Sequence, residues 1–392
     1  MAPVTLILIR NANLYAPQPL GIRHLLIGGG RILWIGDEAL DLPVSLRAVS
    51  RIVDAAGRAT MPGFIDGHVH VTGGGGEAGF RTRVPAVPLS RFTSAGITTV
   101  VGLLGTDDVA RGPGELLATL YALREEGLNA YGYAGGYHVP PVTLTGSVRG
   151  DLVFVEALIG IGEVAISDHR SSQPTLDELL RIASECHVAG VMTGKAGVLH
   201  LHLGDGARGL ELIREALRTS ELPARVFNPT HVNRRRALFA EALDLALQGS
   251  TVDITAFPVE EGEDAYCAAE ALERYLASGA PADRVTVSSD AGGCLPCFDS
   301  EGRVTHMDVG SSGALLETLR EALARGLSLE AALPAFTANP AKLLRLTRKG
   351  ALAVGHDADL VVLDESHRAD TVVVRGEIHV IDRTCVRRGA FE

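Results

Sequence analysis

Two histidines separated by one residue, His68 and His70, are the side chains on which a reaction centre can be built. Residues 64–70 have the apolar character of a short buried strand, and alternate residues of a strand project from the same face. Two neighbouring imidazoles suit a borderline divalent metal ion. Four glycines, 73–76, and Glu77 follow directly. By itself the motif is also typical of two core histidines bonded to the backbone.

Further residues of metal-ligand type stand at the ends of four other apolar segments, and they favour the metal interpretation. These residues are Glu163, His202, His231 and Asp290. Imidazole combined with carboxylate suits Zn²⁺ first, and Mn²⁺, Co²⁺ or Fe²⁺ second. Because this set exceeds the needs of one open catalytic zinc, we predict two divalent ions, bridged by a carboxylate and a water.

Eight strand–helix units between residues 61 and 350 would position these side chains. The predicted strands are 63–70, 98–102, 130–134, 161–166, 197–203, 225–231, 251–255 and 284–289. The predicted helices are 115–126, 176–186, 209–218, 235–247, 268–278 and 314–324. This alternation predicts an α/β fold, a (β/α)8 TIM barrel with its site at the C-terminal strand ends. An open doubly wound sheet is the alternative, but the Gly-x-Gly-x-x-Gly turn expected after its first strand is missing.

Both ends of the chain instead alternate with period two, which is typical of β-strands. The segments are 5–9, 24–27, 31–35, 359–363, 371–375 and 377–381. We predict short antiparallel strands that form a small β-sandwich domain from residues 1–60 and 351–392. The catalytic barrel, residues 61–350, would be inserted between them.

Composition narrows the partners and the compartment. Lys and Arg total 36 against 47 Asp and Glu, a formal net charge of -11, which disfavours binding to nucleic acid or to an anionic membrane. Apolar runs are short, so we expect no signal peptide or membrane span. Five cysteines form no disulfide framework, which predicts a cytoplasmic protein. Cys294 and Cys297 have the spacing of a dithiol pair, but a zinc site would need a second cysteine pair.

The His68-x-His70 strand, the later single histidines and Asp290 resemble the amidohydrolase superfamily. Longer motifs are similar to the isoaspartyl (β-aspartyl) dipeptidase family over essentially the whole chain. These motifs are Gly73-Gly-Gly-Gly-Glu77-Ala, Val101-Gly-Leu-Leu-Gly-Thr106-Asp, Tyr137-His-Val-Pro, Ile166-Ser-Asp-His-Arg170-Ser and Pro229-Thr-His231-Val-Asn-Arg234.

The resemblance implies a role for each matching residue. It implies that the metal ligands are His68, His70, His202, His231 and Asp290. Glu77 would bind a free α-amino group, Thr106 and Arg170 would hold carboxylates, and Tyr137 and Arg234 would lie near the scissile carbonyl or the leaving half. Gly75 and Cys294 complete the implied substrate-binding set. The resemblance also implies a homo-oligomer.

The chain departs from the family at two positions. Glu163 stands where the family has a carboxylated lysine, in a run that is one residue longer, and Cys294 stands where it has a serine. Glutamate is shorter, so it can bridge two metals only if the strand moves toward them or if the metals shift toward the strand. A β-bulge at Gly160 or Gly162 would supply that movement. Otherwise Glu163 lies outside the metal ligands and a single metal is held tightly.

We therefore expect hydrolysis of β-aspartyl dipeptides, with a small-molecule dipeptide as the partner. Asp290 would serve as base and then acid, and Tyr137 would stabilise the oxyanion. A cyclic amidase or an N-acyl amino acid hydrolase is the first alternative, and Glu77 argues against it because those substrates carry no free α-amine. A non-catalytic metal-binding scaffold is the second alternative.

Overall fold

The computed structural model describes residues 6–47, 49–298 and 303–392, and of residues 296–298 the backbone alone. The strands are β1 Leu6–Tyr15, β2 Pro19–Gly28, β3 Arg31–Gly36, β4 Ser50–Asp54, β5 Ala59–Pro62, β6 Phe64–Val69, β7 Ile97–Gly102, β8 Asn129–Ala134, β9 Leu158–Ile166, β10 Val198–Leu203, β11 Phe227–Thr230, β12 Val252–Thr255, β13 Val285–Ser288, β14 Cys294–Phe298, β15 Val304–Val309, β16 Leu360–Leu363, β17 Ala369–Val374, β18 Glu377–Ile381 and β19 Thr384–Cys385. The α-helices are α1 Val44–Arg47, α2 Leu89–Thr93, α3 Pro113–Glu125, α4 Val148–Phe154, α5 Leu176–Thr193, α6 Glu211–Thr219, α7 Arg236–Leu247, α8 Ala268–Ala277, α9 Gly313–Ala324, α10 Leu329–Ala332 and α11 Ala338–Leu343.

Strands β6 to β13 correspond to the eight predicted barrel strands. Strands β6 to β11 form a parallel sheet in chain order, and β12 pairs in parallel with β13. A parallel bridge from Val69 to Ala291 links the segment after β13 back to β6. Every residue of β7, β9 and β10 is buried, as expected for parallel strands covered on both faces. The fold is of the TIM-barrel type.

Helix α5 extends about two turns beyond its predicted end at Cys186. It begins with a capping box between Thr175 and Glu178 and ends before Gly194, whose φ is 73°. Gly190 lies inside the helix, where it packs against the backbone of Gly197. A Cβ added to Gly190 would lie 2.6 Å from the Cα of Gly197. Within the described residues, no helix has both the length and the apolar character needed to cross a membrane.

The two ends of the chain form one nine-stranded sheet, in which β5 pairs with β16. The antiparallel prediction is confirmed for β1 to β3 and for β16 to β18. It is wrong for β4, which pairs with β1 in parallel, whereas β5 is parallel to β1 and antiparallel to β16. The division into a sandwich domain of residues 1–60 and 351–392 and a barrel of residues 61–350 stays a prediction. The hairpin of β14 and β15, which follows the last barrel strand, was not predicted.

Candidate metal centre and active site

The predicted metal ligands lie at the C-terminal ends of the barrel strands. His68 is in β6 with His70 directly after it, and Glu163 and His202 are in β9 and β10. His231 and Asp290 follow β11 and β13, and both adopt positive φ angles, 60° and 53°. Non-glycine residues rarely adopt this conformation, and where they do it is commonly at functional sites.

The carboxylate of Glu163 lies between two groups of histidines. Its Oε1 is 3.6 Å from His68 Nε2 and 3.4 Å from His70 Nε2. Its Oε2 is 3.1 Å from His202 Nδ1 and 3.5 Å from His231 Nε2. Asp290 Oδ1 adds a second carboxylate oxygen, 3.4 Å and 3.1 Å from His68 Nε2 and His70 Nε2. One carboxylate therefore presents a separate oxygen to each of two ligand groups.

This donor set fits two metal ions. His68 Nε2 and Asp290 Oδ1 are buried and have no hydrogen-bond partner in the described residues, whereas buried polar atoms are nearly always bonded. One ion would be held by His68, His70, Asp290 and Glu163 Oε1, and the other by His202, His231 and Glu163 Oε2. Imidazole and carboxylate ligands of this kind suit borderline divalent ions.

The protein supplies this cluster with negative charge. Burial opposes ionisation of Glu163, yet His68 and His202 hold the pKa of its carboxyl well below the ordinary value. Burial likewise opposes ionisation of Asp290, and His68 and His70 lower its pKa. Burial opposes a charge on His68, but Glu163 and Asp290 raise its pKa to about 9, so the position favours a positive charge, which a bound cation would supply in place of the Nε2 proton. Two ionised carboxylates in a water-poor site favour a bound cation.

A β-bulge brings Glu163 to this position. Leu199 of β10 pairs with Ile161, but Leu201 pairs with Val164, so β9 contains one additional residue between these pairs. A Cβ at Gly162 would lie 2.7 Å from the Cβ of His200, so the bulge requires glycine there. The observed bulge agrees with the expected extra residue, and bulges beside active sites re-aim side chains.

A small cavity opens above the predicted metal ligands. It is lined by His70, Gly74, Gly75, Glu77, Gly105, Thr106, Tyr137, Glu163, Arg170, His202, His231, Arg234, Asp290 and Cys294. Of the predicted site residues, His68 alone is absent from this lining, because it is fully buried beneath it. The structure thus brings the predicted residues together, and their individual roles stay proposals.

One wall of the cavity is built around Glu77. Thr106 Oγ1 donates to Glu77 Oε1 over 3.0 Å, and Arg170 Nη1 lies 3.6 Å from the same oxygen. Glu77 Oε2 is buried and has no hydrogen-bond partner among the described residues. The carboxylate therefore has an acceptor free for a cationic donor from a ligand.

Tyr137 and Arg234 also belong to the cavity lining. The Tyr137 hydroxyl is 2.8 Å from His202 Nδ1, and burial together with Glu163 raises its pKa well above 10, so it remains a hydrogen-bond donor. Arg234 lines the cavity, and its guanidinium has no ion pair or hydrogen bond to any part of the chain that the structure describes. A free guanidinium is suited to bind a carboxylate.

The glycine run 73–76 allows the loop after β6 to pack closely against neighbouring backbone. A Cβ at Gly73 would collide with the carbonyl oxygen of Val84, and Gly74 N donates to Gly292 O over 2.7 Å. These glycines let the loop pack against neighbouring backbone rather than simply leaving space above the histidines. Gly105 and Gly293 leave room at the predicted ligands, because a Cβ at Gly105 would lie 2.6 Å from His70 Cε1 and one at Gly293 would lie 2.8 Å from His70 Cδ2.

Sequence reasoning missed Asp168 and His200. Asp168 is buried, and its Oδ2 accepts from Arg170 Nη2 over 2.7 Å and lies 2.9 Å from His202 Nε2. It therefore orients a predicted metal ligand, His202, together with an arginine of the cavity lining, Arg170. Its place two residues before Arg170 was the available signal. For His200, the signal was a spacing from His202 that repeats the spacing of His68 and His70.

Cys294 lies at the cavity beside Glu77 as a neutral thiol. Burial and the Glu77 carboxylate raise the pKa of Cys294 to about 12, so it is not a thiolate at neutral pH. We expect Cys294→Ser to change KM more than kcat, because a hydroxyl is a stronger hydrogen-bond donor at the same position. Steady-state kinetics with equal metal content test this, and a kcat loss without a KM change would contradict it. The side chain of Cys297 lies outside the described residues.

Comparison with known proteins gives relatives along the whole chain. A β-aspartyl dipeptidase of Fervidobacterium islandicum AW-1, solved in complex with a β-Asp-Leu dipeptide, has 40% identical residues and a TM-score of 0.90, with 97% of this chain and 98% of that chain covered. An imidazolonepropionase of Salinispora tropica is 28% identical over 364 residues, 88% of this chain and 87% of the relative.

Two further matches have other names or shorter spans. A deacetylase of Agrobacterium fabrum is 25% identical over 392 residues, 93% of this chain and 83% of the relative. An imidazolonepropionase of Salinispora arenicola is 37% identical over 116 residues, which span only 28% of this chain and 26% of that relative. Residues 59–379 match the Amidohydrolase family, which covers more than half of the chain. The chain therefore belongs to the amidohydrolase family.

Proposed function

We propose that this protein is a two-metal hydrolase of β-aspartyl (isoaspartyl) dipeptides. The observation that carries the proposal is Glu77 Oε2, a buried carboxylate oxygen without a partner that faces the cavity. A free α-amino group next to the scissile bond would fill this position. Arg170 lies 3.6 Å from the other oxygen, Oε1, but a buried acceptor that is left unbonded is unfavourable, so the site favours a substrate whose ammonium donates to Oε2.

The charges around Glu77 fit the rest of such a substrate. A β-aspartyl dipeptide carries two carboxylates besides its ammonium, and the cavity presents the guanidinium groups of Arg170 and Arg234. Arg170 is held by Asp168, which leaves one face of its guanidinium toward Glu77 and the cavity. The dipeptide bound to the Fervidobacterium relative belongs to the same substrate class.

The reaction would be hydrolysis of the amide by water. Two divalent ions, when bound by the ligand groups described above, would acidify the water and polarise the carbonyl. Asp290 lies beside both first-strand histidines, where it would accept the proton of the attacking water and pass it to the leaving amine. Tyr137 would donate a hydrogen bond to the developing oxyanion, and Arg234 would hold the carboxylate of the leaving amino acid.

Replacement of Glu77 tests the substrate class. In Glu77→Gln the substrate ammonium loses its charged partner inside a desolvated pocket. We expect kcat/KM for β-Asp-Leu to fall about 30- to 1,000-fold, which corresponds to a loss of roughly 2–4 kcal/mol in transition-state stabilisation. N-acetyl-β-Asp-Leu serves as the matched substrate. It should be poor with wild type and should lose little further in the variant.

The same experiment distinguishes the proposed dipeptidase from a cyclic amidase or an N-acyl hydrolase. The curated relatives named imidazolonepropionase and deacetylase keep a cyclic amidase or an N-acyl hydrolase open as a second candidate. A wild-type preference for the acetylated compound over β-Asp-Leu would favour that candidate and contradict ours. Equal metal content in both proteins controls for loss of the centre itself.

A further inference from the structure

A chain of three buried side chains runs from the metal ligand His68 away from the cavity. His68 Nδ1 is 2.8 Å from His200 Nε2, and His200 Nδ1 is 2.7 Å from Asn228 Oδ1. Asn228 Nδ2 donates to the carbonyl oxygen of Thr251 over 2.7 Å. All three side chains are at most 1% exposed, so water does not compete for these hydrogen bonds. Asn228 contacts none of the predicted metal ligands.

The carbonyl of Thr251 sets the direction of the three hydrogen bonds that link His68, His200 and Asn228 to it. A carbonyl can only accept, so the Asn228 atom that faces it must be the amide nitrogen. The oxygen of Asn228 then faces His200, and His200 must carry its proton on Nδ1. A neutral His200 consequently presents an unprotonated Nε2, which accepts the Nδ1 proton of His68.

We infer that His200 and Asn228 are positioning residues that fix the tautomer of His68, so that its Nε2 lone pair faces the metal site. If these hydrogen bonds ran in the opposite direction, the His68 proton would be on Nε2. This nitrogen lies 3.4 Å from Asp290 Oδ1 and 3.6 Å from Glu163 Oε1. A ring protonated there cannot bind a metal through that atom. The inference rests on the metal centre of the proposed function and does not depend on the substrate.

Packing supports the same arrangement. The His200 ring stacks on Tyr133, with 5.0 Å between the centroids and 23° between the planes. This stacking holds the ring so that its two nitrogens point along the line from His68 to Asn228.

A pair of substitutions at His200 tests the inference. His200→Gln keeps an acceptor near the position of Nε2, whereas His200→Met has a similar volume and no strong acceptor. The readout is Zn²⁺ transfer from the purified full-length holoprotein to a competing chromophoric chelator, which gives the affinity of each site without any substrate. We expect His200→Met to weaken one of the two ions by about 10- to 100-fold and His200→Gln to stay within about 3-fold of wild type.

Each outcome has a distinct meaning. A His200→Met protein that binds both ions as tightly as wild type would overturn the inference, and so would equal weakening in both variants, which would indicate packing alone. If His200→Met does not fold, Asn228→Leu replaces it, since that change leaves His200 and every ligand in place. Asn228→Leu should weaken binding of the same ion, and an unchanged affinity would contradict the inference that Asn228 fixes the tautomer of His68 through His200. A wild-type protein that binds no Zn²⁺ would instead refute the metal centre of the proposed function.

Discussion

Asp290→Asn should lower kcat for β-Asp-Leu by at least about 100-fold while the protein stays folded, because an amide cannot accept a proton at neutral pH. Asparagine is the most suitable replacement, since Asp290 has a φ of 53° and asparagine tolerates this conformation. The substitution also keeps an oxygen that can contact a metal. Steady-state kinetics combined with metal content per chain measure the effect.

The control for Asp290→Asn is Asp308→Asn, which removes an exposed carboxylate from the neighbouring hairpin. It should retain the wild-type rate. An Asp290→Asn protein with half the wild-type kcat and full metal content would remove Asp290 from the proton transfer. Loss of metal together with activity would show that its main role is ligation.

Glu163→Gln should lose at least one metal ion per chain and most of the activity. The two oxygens of Glu163 each lie within 3.6 Å of histidine nitrogens from a different ligand group. An amide offers one neutral oxygen in place of two anionic ones, so it is a poor bridge between two cations. Metal analysis of the purified variant, followed by kinetics in excess Zn²⁺, checks this expectation.

Two observations would contradict a bridging Glu163. One is a Glu163→Gln protein that retains two metals and near-normal turnover. The other is a wild-type protein whose activity depends on dissolved CO₂ or bicarbonate, because a glutamate bridge requires no carbamate. Wild-type protein assayed in buffer with and without bicarbonate supplies the comparison, and we expect equal rates.

The positions of the metal ligands could be predicted because they follow from local periodicity. Residues two apart on a strand share a face, which places His68 and His70 together, and parallel strands bring their C-terminal ends to one rim. All eight barrel strands were predicted on this basis. The bulge before Glu163 was expected for a different reason, because the run is one residue longer than in the family that the chain resembles. Strand direction at the termini was not predictable in this way, because period-two alternation is the same in parallel and antiparallel strands, and β4 and β5 pair with β1 in parallel.

Contacts between distant parts of the chain were decided only by the tertiary structure. His68 and His200 are separated by 132 positions, and no periodicity says that their ring nitrogens lie 2.8 Å apart. The same holds for the approach of Asp168 to His202 and for the unpaired oxygen of Glu77. Such contacts depend on how the strands are staggered and how far the bulge at Gly162 shifts them. Residue types therefore determined which chemistry is available, and the barrel geometry decided which atoms face one another.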